Sequence, residues 1–109
     1  MKSTGNTTSG ARPGRTAPVH PGEILRETLE DLDLSANRLA LAIGVPANRI
    51  SAIVGRRRSI TGETALRLGR YFGTTPNYWM NMQARYDLET ARDRWESRIW
   101  AEVRPLNAA

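Results

Sequence analysis

From Val19 onward, apolar residues recur at intervals of three and four and never alternate with polar ones, a pattern that predicts helices and no strands. Five segments follow. In the first, about 21–33, Ile24, Leu25, Thr28, Leu29 and Leu32 form an apolar face. Pro21 suits a first helical position, and Glu23 sits in the first turn, where the helix dipole favours negative charge. The second, 36–43, follows the natural cap Ser35, turns Leu39, Ala40 and Ile43 inward, and ends at Gly44. The third, 46–54, opens on Pro46, buries Ile50 and Ile53, and ends at Gly55. The fourth, 62–72, follows Thr61, runs Ala65, Leu68 and Phe72 along one side, and ends at Gly73. The fifth opens at Pro76 behind Thr75 and extends, as one helix or two, to Val103, with Pro105 as its stop. Residues 1–18 hold Gly, Ser, Thr and Pro with three bases, no acid and almost nothing apolar, which predicts a flexible basic tail. The expected organisation is all-α: a tail over 1–18, a four-helix domain over 19–75, and a helical extension over 76–109.

Composition removes several classes of chemistry. The 109 residues contain no cysteine and one histidine, His20, which excludes disulfide frameworks, Cys/His zinc sites and thiol nucleophiles. A lone His ahead of Pro reads as a residue at a helix start rather than an acid or base, and no triad can be built around it. The acids of the first helix lack the glycine-bounded loop of a metal site, and no glycine-rich phosphate loop is present. No enzyme activity, metal, cofactor or small-molecule substrate is expected. No apolar run nears the ~20 residues of a membrane span, and the N-terminus lacks the apolar middle of a secretory signal, so a soluble, cytoplasmic protein without a membrane partner is expected. The net charge is +5, and of 16 basic residues 15 are arginine. Such a balance points to an acidic partner, most simply nucleic acid.

Charge is distributed in blocks. Residues 19–34 hold five acids and one base, whereas residues 35–58 hold five arginines and no acid. The arginine block coincides with two short helices joined by a glycine turn, the outline of a helix-turn-helix. That motif needs a small residue where its helices cross, met by Ala40; a glycine at the turn, Gly44; an apolar plug at the corner, Val45; and buried residues six and nine positions after the glycine, Ile50 and Ile53. The second helix would present its N-terminal residues to base edges: Ala47, Asn48, Arg49, Ser51 and Ala52. Arg pairs with guanine and Asn with adenine in bidentate fashion, Ser serves either, and Ala contacts a thymine methyl. An intramolecular ion pair is the other reading of Arg49. Phosphate contacts are expected from Ser35, Asn37 and Arg38 at the start of the first helix of the motif, and from Arg56, Arg57, Arg58 and Thr61 beyond the second.

The fifth segment is aromatic. Four short helices already use the core that a chain of this length supplies, so the stripe of Tyr78, Trp79, Met82, Tyr86, Leu88, Trp95 and Ile99 is expected to form a homodimer interface. A dimer would place two reading helices roughly 34 Å apart on a palindromic operator.

Residues 20–88 resemble the HigA family of bacterial antitoxins, within the Cro/lambda-repressor-like, XRE class of five-helix DNA-binding domains. The motifs that carry the resemblance are His20-Pro21-Gly22-Glu23, the turn Ile43-Gly44-Val45, Gly55-Arg56-Arg57, Ile60-Thr61, and Thr75-Pro76 with Trp79. The sequence departs from the family pattern at Ala47, which bears on which operator is read. The resemblance implies an antitoxin that neutralises a HigB-like mRNA-cleaving toxin by binding it and represses its own operon as a dimer. A ribonuclease that grips RNA is basic, so the acidic face Glu23, Glu27, Glu30 and Asp31 is the expected toxin-binding surface. The alternative is a stand-alone Cro-like transcriptional regulator with no toxin, and the product of the neighbouring gene separates the two.

Overall fold

A computed structural model describes residues 17–107. The expected basic tail lies outside the described residues apart from Ala17 and Pro18. Five helices follow one another: α1 (Pro21–Asp31), α2 (Ala36–Ile43), α3 (Ala47–Val54), α4 (Gly62–Phe72) and α5 (Pro76–Glu102). There are no strands among the described residues.

Local chemistry sets the helix ends. At α1, His20 is itself the cap: its Nδ1 accepts the Gly22 N–H at 2.9 Å. Ser35 accepts the Arg38 N–H at 3.1 Å to open α2. Pro46 stands just outside α3 with extended backbone, rather than as its first residue. The Thr61 hydroxyl accepts the Thr64 N–H at the start of α4. Gly44 and Gly73 close α2 and α4 with φ near +76° and +77°, a region that residues with a side chain adopt only rarely. The end of α1 also differs from the expected pattern, and the open question of α5 has one answer. The first helix stops at Asp31, so Leu32 caps it and is exposed instead of joining the apolar face. The fifth segment is one unbroken helix of 27 residues.

The core consists of Leu25, Leu29, Leu39, Ala40, Ile43, Val45, Ile50, Ile53, Ile60, Ala65, Leu68 and Trp79. Gly22 explains the opening motif of α1: a Cβ there would collide with the Ile53 carbonyl, so only glycine lets the start of α1 press on the end of α3. The chain divides into two units. One, Val19–Tyr86, holds the whole core and extends past Pro76 to include the first turns of α5. The other contains, among the described residues, the later turns of α5 from Asp87 onward. In the described part of that second unit, Arg92–Glu96 and Arg98–Glu102 pairs lie along the helix, and Arg94 and Arg98 lean over the Trp95 ring at 5.4 and 5.6 Å.

Candidate nucleic-acid interface

The helix-turn-helix is formed by α2, the turn at Gly44, and α3. The Gly44 and Val45 N–H groups both donate to the Ala40 carbonyl, at 2.9 and 3.0 Å, and Val45 is buried in the corner. Burial of Ile50 and Ile53 fixes which side of α3 faces out. Ala47, Asn48 and Ser51 are exposed and Ala52 is half-buried. At about 100° a residue these four share one arc of about 140°.

Arg49 falls outside that arc. Its side chain is only 19% exposed, and Nη1 lies 3.3 Å from the Glu63 carboxylate in the first turn of α4. Arg67 holds the other carboxylate oxygen through Nε and Nη2, at 3.1 and 3.0 Å, and donates from Nη1 to the Ile43 carbonyl at 2.8 Å. The Arg67 bond and the charges of Arg49 and Arg67 hold the Glu63 carboxyl below its ordinary range.

The residues expected at phosphate surround this face. Ser35, Asn37 and Arg38 open α2 and are exposed. Arg56, Arg57 and Arg58 are exposed in the turn after α3, and Thr61 is exposed at the cap of α4. Arg56 takes the left-handed conformation, φ +63°, and its guanidinium lies 3.6 Å from Glu23. That turn is anchored from α5: the Ile60 N–H donates to the buried Gln83 side chain at 2.8 Å. Glu63, Arg67 and Gln83 were absent from the residues picked out by sequence. Glu63 and Arg67, four apart on one helix, carried a local signal; the reach of Gln83 across 23 positions carried none.

Other expected residues are distributed differently. Trp79 is buried at 1% exposure, with Nε1 donating to the Thr74 hydroxyl at 2.9 Å, so it is a core residue with no surface to give to a second copy. Met82 packs on the same core, and Tyr86 stacks edge-on against His20 with ring centroids 4.8 Å apart. Tyr78 is exposed in the first unit; Leu88, Trp95 and Ile99 are exposed in the second. Of the acidic face, Glu27 and Asp31 are exposed, Glu23 pairs with Arg56, and Glu30 lies 3.8 Å from Arg26. No helix is long and apolar enough to cross a membrane among the described residues.

Comparison with known proteins places this geometry. Residues 25–79 match the HTH_3 helix-turn-helix family. The chain is 51% identical over 80 residues to virulence-associated protein I of Dichelobacter nodosus, covering 72% of this chain and 74% of that one. An addiction module antidote protein of a HigA family from Coxiella burnetii superposes with a TM-score of 0.80 at 49% identity, over 83% of this chain and 99% of that one. The Pseudomonas aeruginosa antitoxin HigA, solved with the higBA promoter, superposes with a TM-score of 0.79 at 46% identity, over 82% of this chain and 98% of that one. A helix-turn-helix with these five elements, matched at nearly half identity along almost the full length of two such proteins, shows that the chain belongs to the HigA-type antitoxin family, in the XRE class of helix-turn-helix proteins.

Proposed function

We propose that the chain is a sequence-specific DNA-binding antitoxin that represses its own operon. The observation that carries this reading is the outward face of α3, bearing Ala47, Asn48, Ser51 and Ala52, in a stretch, 35–58, that exposes Arg38, Arg56, Arg57 and Arg58 and holds no acid. A relative at 46% identity is solved with promoter DNA, which supports the same use of the fold here. Asn48 and Ser51 supply hydrogen bonds to base edges, and the two alanines fit beside thymine methyls. Arg38, Arg57 and Arg58, with the N-terminus of α2, hold phosphates and set the register. Arg56 joins them on release from Glu23, an exposed pair worth about 0–1 kcal/mol. Mobility shift on the promoter duplex of its own operon tests this reading: a single strong complex that random DNA does not compete away is expected, and equal binding to both sequences refutes it. Arg57→Ala should weaken all duplexes alike and reduce the slope of log K against log salt by about one.

Two copies bind a palindrome, joined through the exposed Leu88, Trp95 and Ile99. The toxin is a basic, HigB-like ribonuclease that meets α1 at Glu27 and Asp31, flanked by Glu23 and Glu30. Co-expression with the product of the adjacent gene tests the pairing. Rescue of growth with co-elution supports it, and a harmless neighbour leaves a stand-alone regulator. Reversing Glu27 and Glu30 to lysine should weaken the complex; unchanged binding removes the acidic face from the interface.

A further inference from the structure

We infer that Arg49 is a positioning residue of the DNA interface, clamped by Glu63 and Arg67, and that base discrimination rests on its neighbours Asn48 and Ser51 with the flanking alanines. The inference rests on the reading that α3 enters the major groove. Residue type alone argues otherwise, since arginine near the start of such a helix is the commonest reader of guanine.

Three independent observations oppose that assignment. The first is direction. On α3 the exposed arc is set by Ala47, Ser51, Asn48 and Ala52, and Arg49 lies about 60° beyond its edge, about 40° from the buried Ile53. The second is enclosure. The Arg49 side chain is four-fifths covered, and its Nε is buried. Turning it into a groove would mean uncovering a side chain that is now 19% exposed and breaking its contact with Glu63.

The third observation is the partner. Glu63 lies between two guanidinium groups: Arg49 of α3 at 3.3 Å and Arg67 of α4 at 3.0 Å. Arg67 continues the chain of contacts to the Ile43 carbonyl, at the end of α2 and beside the motif's turn. The path Arg49–Glu63–Arg67–Ile43 thus joins the two helices of the motif through a third helix. Such a clamp sets how α3 is carried relative to α2, and with it the reach of Asn48 and Ser51 toward a base. Charge bookkeeping agrees. Glu63 is the only acid between residues 59 and 86, an unwelcome charge beside DNA phosphate unless neutralised, and both arginines that neutralise it are in place.

The two roles predict different patterns of loss. The probe is a duplex selected by the unaltered chain from a random pool, measured beside all its single-base variants. A clamp makes Arg49→Met and Glu63→Gln act alike. Each should lower discrimination by about tenfold, spread over the several positions that α3 faces, and the double variant should lose no more than either single one. Thermal unfolding identifies variants that no longer fold. A measurement on the unaltered chain covers that case: magnetisation transfer between the Arg49 guanidinium and the Glu63 methylene protons should persist when the duplex is bound. If Arg49→Met instead erases preference at one guanine while Glu63→Gln leaves the profile intact, or if the Arg49–Glu63 contact is lost on DNA, Arg49 is a base reader and the inference falls. If the unaltered chain enriches no sequence at all, the proposed function falls with it.

Discussion

Trp79 and Trp95 lie on the same helix, sixteen positions apart, the first among uncharged residues and the second among charged ones. Trp79 is 1% exposed, hydrogen-bonded to Thr74 and flanked by Phe72 and Tyr78. Trp95 is 40% exposed, touched by two arginines of its own helix, and Trp100 beyond it is 79% exposed. The recurrence of apolar residues along α5 suggests one stripe, but at about 100° a residue the two rings lie about 160° apart around the helix. What lies opposite them is a property of the other helices. The first turns of α5 complete the core of the Val19–Tyr86 unit, whereas the apolar groups of the later turns have no such cover among the described residues.

The sharpest way to break this contrast is to truncate both rings. Trp79→Ala should cost about 3–5 kcal/mol, read as a large drop in the denaturant midpoint by circular dichroism. Next comes Gln83, whose side chain satisfies a buried backbone donor. Gln83→Leu strands the Ile60 N–H and should cost about 1–3 kcal/mol, and because that bond anchors the arginine turn, operator affinity should fall with it. Truncating Trp95 and Ile99 together should leave unfolding of the first unit within about 0.5 kcal/mol of the parent at low protein concentration. Their effect should appear in sedimentation equilibrium, as loss of the proposed dimer. A shift in dimerisation from Trp79→Ala at unchanged stability would reverse the assignments. The smallest expected effect is electrostatic. Glu63 is held below its ordinary pKa by its arginines, so its contribution is complete above that ordinary value and is lost as pH falls through the depressed one. Glu63→Gln should flatten that acid limb of the stability profile and leave the profile near neutrality with little pH dependence from this site.

Much of the fold is legible without coordinates because helix ends are local. Ser35, Thr61 and Thr75 accept N–H groups three residues on, and Gly44 and Gly73 take backbone angles that few other residues tolerate. These are interactions over a single turn, and the bounds of α2 and α4 follow from them. The helix-turn-helix was legible for a related reason: its small, glycine, plug and buried positions recur at fixed offsets within 14 residues, and the family resemblance of the flanking motifs rests on the same short-range order. Apolar spacing overruns the end of α1, because Leu32 extends it past the last helical turn and spacing does not say where hydrogen bonding stops.

The interface divides along the same line. That residues 35–58 carry positive charge and no acid is a fact of composition, and the outward side of α3 follows once Ile50 and Ile53 are buried. Which of the polar groups on α3 are free to act is another matter. Arg49 meets Glu63 across 14 positions, Arg67 meets Ile43 across 24, and Gln83 meets Ile60 across 23. Pairings at such distances have no signature in local spacing, since they exist only after the core has brought α3, α4 and α5 together. Local hydrogen bonding and hydrophobic period therefore dictated the helices and the motif, and long-range packing alone decided which side chains the motif holds back and which it presents.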